Sequence, residues 1–129
     1  MSKKRKKLPS RRLSEVRKIK LENDQSLYVT LGYDPKFPNV PKEVFYDRGF
    51  REGAELQFIA NDMCIMISLL LQAEYSADDI AKSLSKTTLE TPDGDVSKHG
   101  SMVGLIVEQL QIAPSWNEQA KAFQQQELK

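Results

Sequence analysis

The chain of 129 residues has one cysteine, one histidine and one tryptophan, and the first two scarcities each remove a class of chemistry. A lone thiol, Cys64, excludes an intrachain disulfide framework, a cysteine-built zinc site and a dithiol redox pair. It stands in the most apolar stretch of the chain, where a small buried thiol is the expected state rather than a reactive one. A lone histidine, His99, excludes a His-rich metal centre. Ser97 and Ser101 lie near it in sequence, but no nucleophile-elbow pattern surrounds either serine. Asp93, Asp95 and His99 are three ligand types on one turn, without the acidic repeat of a calcium loop. The basic start runs on through Leu8-Pro9-Ser10-Arg11-Arg12 and not into an apolar segment, so no secretory signal is read and a cytoplasmic location is expected. No apolar run reaches the roughly 20 residues that cross a bilayer, so no membrane contact is expected.

What is present is charge, and it is unevenly placed. Residues 1–20 carry ten lysines and arginines against Glu15 alone, a net +9; the whole chain is +1, so residues 21–129 sum to −8. A basic arm is thus joined to an acidic body. Residues 1–12 have no apolar periodicity and repel themselves, which predicts disorder in isolation. Lys3, Lys4, Arg5, Lys6, Lys7, Arg11 and Arg12 are the candidate nucleic-acid contacts, through phosphates and without base reading, because the arm has no aromatic residue to stack on bases. A solubilising tail, or an arm folded back on the acidic body, fits the same residues.

The rest reads as one α+β domain, and 40% hydrophobic residues are enough for one core. Residues 1–13 are assigned to the arm, 14–113 to the domain and 114–129 to a C-terminal helical tail. Alternation from Val16 to Leu21, turn residues Asn23-Asp24-Gln25 and the run Leu27-Tyr28-Val29-Thr30-Leu31 predict a hairpin. Three prolines at Pro35, Pro38 and Pro41 break regular structure, and Glu43-Val44-Phe45-Tyr46-Asp47 follows as a third strand. The three form a small antiparallel meander. Gly53 to Glu74 predicts a long central helix of roughly 30 Å, amphipathic at its start and buried on most sides later, since Met63 to Leu71 is apolar but for Ser68. On this reading Leu70→Asp unfolds the domain. Ser76-Ala77-Asp78-Asp79 starts a short helix, its paired carboxylates suiting a helix start better than an acid/base pair. Thr91-Pro92-Asp93-Gly94-Asp95 is a turn, and a further helix begins near Gly100-Ser101 and stops at Pro114.

The junction Asp47-Arg48-Gly49-Phe50-Arg51-Glu52-Gly53 joins two glycines and two arginines to a helix start. Arg48, Gly49, Arg51 and Gly53 are therefore the candidate anion- or nucleotide-binding residues. The spacing matches neither a Walker A loop nor a dinucleotide fingerprint, and an ordinary strand-to-helix turn explains the same glycines.

Taken in order, these segments resemble the TSCPD domain family, found near the C-terminus of adenosylcobalamin-dependent ribonucleotide reductases and as small stand-alone proteins. Leu27 to Leu31 is similar to the family's first strand, Glu43-Val44-Phe45-Tyr46 to its "EVFI" strand, and Ile67-Ser68-Leu69-Leu70-Leu71-Gln72 to its "ISLLLQ" helix. Thr91-Pro92-Asp93-Gly94 is similar to its "P-x-G" turn. The Thr-Ser-Cys-Pro-Asp signature is absent, and the chain reads Pro114-Ser115-Trp116-Asn117-Glu118 instead, so no role of a C-terminal cysteine transfers.

The resemblance implies a stand-alone accessory or regulatory domain related to ribonucleotide reductase, without catalysis of its own. It would act through contact with a reductase subunit or through a nucleotide effector, and no cofactor is expected. A second reading is a small nucleic-acid-associated protein, phage-encoded in kind, bound through the arm. A third is a homo-oligomer whose core the long helix completes.

Overall fold

The alternation in Leu27 to Tyr33 sends Leu27, Val29, Leu31 and Tyr33 to one side of a strand. In the computed structural model, which describes residues 13–21 and 24–116, all four are fully buried. This strand is the middle of a three-stranded antiparallel sheet ordered β1 (Leu13–Lys20), β2 (Ser26–Tyr33) and β3 (Pro41–Arg48). The meander expected from sequence is present. Gly32 sits beneath Glu43 on β3, and a Cβ at Gly32 would collide with that side chain.

The imperfect apolar phase of β1 has a structural cause. Ile19, Arg17 and Glu15 pair with Leu27, Val29 and Leu31, so the inward row of β1 is apolar at one end and charged at the other. Arg17 donates to the carbonyls of Gln109 (3.1 Å) and Ala113 (3.2 Å) and to Glu15 (2.6 Å). Glu15 in turn accepts from the Ser115 hydroxyl (2.6 Å) and its backbone N–H (3.1 Å). The pair therefore closes the end of the helix Met102–Gln111, where carbonyls lack intrahelical partners. Burial alone pushes the Glu15 carboxyl up, but the bonds from Ser115 and Arg17 outweigh it and hold the group below its ordinary value.

Helix α1 (Glu55–Gln72) lies along β3. Ala60, Cys64, Ile67 and Leu71 recur at helical spacing and are buried in the core with the sheet. The two polar residues of this inner face, Ser68 and Gln72, meet the open edge of β3. The Ser68 hydroxyl accepts from the Val44 N–H and donates to the Val44 carbonyl, both at 2.9 Å, while Gln72 Nε2 donates to the Lys42 carbonyl at 3.2 Å. An edge strand with unmet backbone groups is a template for unwanted pairing, and here the helix covers it. The helix ends in a Schellman arrangement, with Tyr75 N–H on Leu70 O, Glu74 N–H on Leu71 O, and Glu74 at φ +77°.

The long helix is thus present, with one correction. It is buried on one side only, not on most sides. Leu70 is 39% exposed, so the expectation that Leu70→Asp unfolds the domain moves to its neighbour Leu71, which is 1% exposed.

Helix α2 (Ala77–Ala81) starts at Ser76, whose hydroxyl accepts from Asp79 N–H while the Asp79 carboxylate accepts from Ser76 N–H. The bonds from Ser76 hold the Asp79 carboxyl below its usual range. A second sheet follows, the hairpin β4 (Lys86–Thr91) and β5 (Gly94–His99), where the sequence predicts a turn alone. Helix α3 (Met102–Gln111) is capped by Ser101, whose hydroxyl accepts from Gly104 N–H. Its Ile106, Val107 and Leu110 complete the core. Trp116 then packs edge-on against Tyr33 (4.8 Å between ring centroids), and its indole N–H donates to the Pro38 carbonyl at 2.7 Å. The proline-rich loop is pinned to the body in this way.

Candidate functional site

The side of α1 turned away from Ser68 and Gln72 is also apolar. Phe58, Ile65 and Leu69 follow one another at steps of seven and four, and Met66 and Leu70 form the adjacent row. All five are exposed, Phe58 and Met66 by about 60% each. The stripe from Phe58 to Leu70 is roughly 18 Å long at 1.5 Å per residue. Asp62 is the one charge among these rows. Isolated exposed apolar residues need no explanation, but a contiguous stripe is the surface that a partner covers. Sequence reading placed these side chains in the core, because a run apolar on every side carries no mark of which side faces water.

The β3–α1 junction is ordered by local contacts. Arg48 makes an ion pair with Asp47 (2.6 Å) and lies 4.2 Å over the Tyr28 ring. Gly49 has φ +139°, and a Cβ there would come within 2.6 Å of the Leu27 backbone. Only glycine fits, so its presence has a packing reason. The Tyr46 hydroxyl accepts from Phe50 N–H at 2.9 Å, and the two rings stack. Arg51 is exposed, and Gly53, at φ +80°, donates its N–H to Gln57 Oε1 at 2.6 Å. Two of the four candidate anion-binding residues therefore already hold partners within the chain. The seven basic arm residues, Lys3 to Lys7, Arg11 and Arg12, lie outside the described residues.

The other singled-out side chains are also placed. Burial pushes the Cys64 thiol up to about 12, the state of an inert core thiol. His99 ends β5, and its Nδ1 lies 3.4 Å from the Lys86 ammonium. Ser101 is spent as a helix cap. Asp93 stands at the hairpin tip and Asp95 opposite Glu90, four residues from His99. Among the described residues no group of three His, Cys, Asp or Glu is placed to hold a metal ion, and no helix is long and apolar enough to cross a membrane.

Comparison with known proteins adds one match. A family model described as TSCPD domain matches residues 2–113. No curated protein and no solved structure matches the chain.

Proposed function

We propose, from the premise that this chain belongs to the TSCPD domain family, that it is an accessory or regulatory domain that seats the outer face of α1 on a ribonucleotide reductase polypeptide. The family is associated with ribonucleotide reductases, and that association supplies the partner. The observation that carries the reading is the exposed stripe Phe58, Ile65, Met66, Leu69 and Leu70. Apolar burial of this kind contributes on the order of 25 cal/mol per Å² removed from water, before the costs of association.

The test is binding of the purified chain to a purified reductase large subunit, followed by Phe58→Glu and Met66→Glu variants. The unaltered chain should co-elute with the subunit, and each variant should keep its thermal unfolding midpoint yet lose the complex. Equal binding by folded variants, or no complex with the unaltered chain, overturns the reading. If the stripe instead covers a second copy, sedimentation will show a concentration-dependent mass that the same variants abolish.

A second reading rests on charge segregation, +9 over residues 1–20 against −8 over the rest. In it Lys3 to Lys7, Arg11 and Arg12 bind phosphate backbones with a steep salt dependence. Deleting residues 1–12 should then remove binding to duplex DNA or RNA; unchanged binding after the deletion refutes it.

A further inference from the structure

Strand alternation sends Val16 and Lys18 of β1, and Tyr28 and Thr30 of β2, to the side of the sheet opposite the core. The register lines them up in two rows across all three strands, Lys18–Tyr28–Arg48 and Val16–Thr30–Phe45. Residues of α1 and α3 fill the core on the inner side. On the outer side Val16 is 52% and Phe45 50% exposed, and Lys18 and Arg48 are exposed as well.

A bulge in β3 sets the chemistry of the first row. Val29 pairs with Tyr46, so an unbroken register would put Asp47 opposite Tyr28; the extra residue puts Arg48 there instead. The guanidinium lies 4.2 Å over the Tyr28 ring, with Asp47 beside it as an ion-pair partner. Glu43, the other carboxylate of β3, is buried against Gly32. Arg48 is thereby a flat cation held on an aromatic ring, its side chain 63% exposed. Unpaired bases stack on guanidinium planes as they do on aromatic rings. Tyr28 and Phe45 are diagonal neighbours on this face, roughly 7–8 Å apart by strand geometry. Stacked bases rise about 3.4 Å each, so the wider spacing suits bases that have been splayed apart.

We propose that the outer face of the three-stranded sheet binds single-stranded nucleic acid. Bases lie on Phe45 and on the Arg48–Tyr28 pair, and phosphates meet Lys18 and the basic residues before β1. Charge selects the same occupant: residues 1–20 carry +9 and run directly into β1, which forms one border of the face. The arm has no aromatic residue, and the sheet supplies the stacking that it lacks. A duplex keeps its bases stacked on one another and gains nothing from such platforms. This role rests on the second reading above, the chain as a nucleic-acid binder, and adds to it the form of the ligand.

The test uses the full chain and fluorescence anisotropy at one fixed salt concentration. The probes are labelled oligothymidylate, an abasic strand and a duplex, all of equal length. Oligothymidylate should bind most tightly. Phe45→Ala should keep the thermal unfolding midpoint, weaken oligothymidylate at least about fivefold, as loss of one base–aromatic stack does, and leave the abasic strand and the duplex unchanged. Arg48→Ala should weaken oligothymidylate by a larger factor than Arg51→Ala, which removes the same charge outside the face. Oligouridylate separates a ribose from a deoxyribose strand, and preference for either over the duplex supports the proposal. It is overturned if the chain binds no strand, if the abasic strand or the duplex binds as tightly, or if folded Phe45→Ala binds oligothymidylate with undiminished affinity. Duplex binding lost on deleting residues 1–12 but indifferent strand binding by Phe45→Ala would sink the sheet face and leave the arm reading standing; strand binding that survives the deletion and falls with Phe45→Ala would do the reverse.

Discussion

The two faces of α1 are nearly equal in apolar content and opposite in fate. The inner face carries Ala60, Cys64, Ile67 and Leu71 but also the helix's buried polar side chains, Ser68 and Gln72; the outer carries Phe58, Ile65, Met66, Leu69 and Leu70. In this helix the polar residue marks the inside. Ser68 and Gln72 are buried because the sheet edge they cover offers backbone groups that only a hydrogen-bonding side chain can satisfy. An apolar row on the far side has no such tie.

Substitutions on the two faces should therefore diverge, most of all between adjacent residues. Leu71→Asp puts a charge into a fully packed position and should abolish the cooperative thermal transition, because its cost rivals a marginal stability of about 5–15 kcal/mol. Leu70→Asp should retain that transition; if it too unfolds the chain, the division between faces is wrong. Next in size, Ser68→Ala leaves the Val44 N–H and carbonyl without their shared partner and should lower stability by about 1–3 kcal/mol in denaturant titration. A loss below a few tenths would mean that water replaces the hydroxyl.

A smaller effect tests the same logic on β1, whose inner row ends in Glu15 and Arg17. The net shift of the Glu15 carboxyl is downward, so its contribution is present above the ordinary carboxylate range and is lost as pH falls through the depressed folded value. Trp116 fluorescence should report a transition on acidification below that range, and Glu15→Gln should remove it. Smallest of all, Phe58→Ser and Met66→Ser should change stability by no more than about 0.5 kcal/mol, as surface substitutions do. A larger loss would mean that the outer row already supports the fold.

The contrast also explains what could be read from sequence. Helix starts were legible because Ser76, Asp79 and Ser101 act locally, each on a backbone group three residues away. The meander was legible in β2, where alternation and burial coincide. The hairpin β4–β5 was not, because its strands are almost wholly exposed and Leu89 and Val96, paired across it, are the only large apolar residues. The charged inner end of β1 was illegible for another reason: the partners of Arg17 lie 92 and 96 residues away. At the candidate site, sequence found the Arg48–Gly53 turn by composition. It had no means to tell the outer row of α1 from the core, because Met63 to Leu71 is apolar but for Ser68.

The clamp between Glu15 and Ser115 joins residues 100 apart in the chain. It brings the first strand and the segment just after α3 to one spot. A domain with that property can be spliced into a loop of another protein with little disturbance, since the host chain would leave and re-enter at neighbouring points. A chain cut short before Ser115 should keep β1 paired with β2 but leave the Glu15 carboxylate without its hydroxyl and backbone donors.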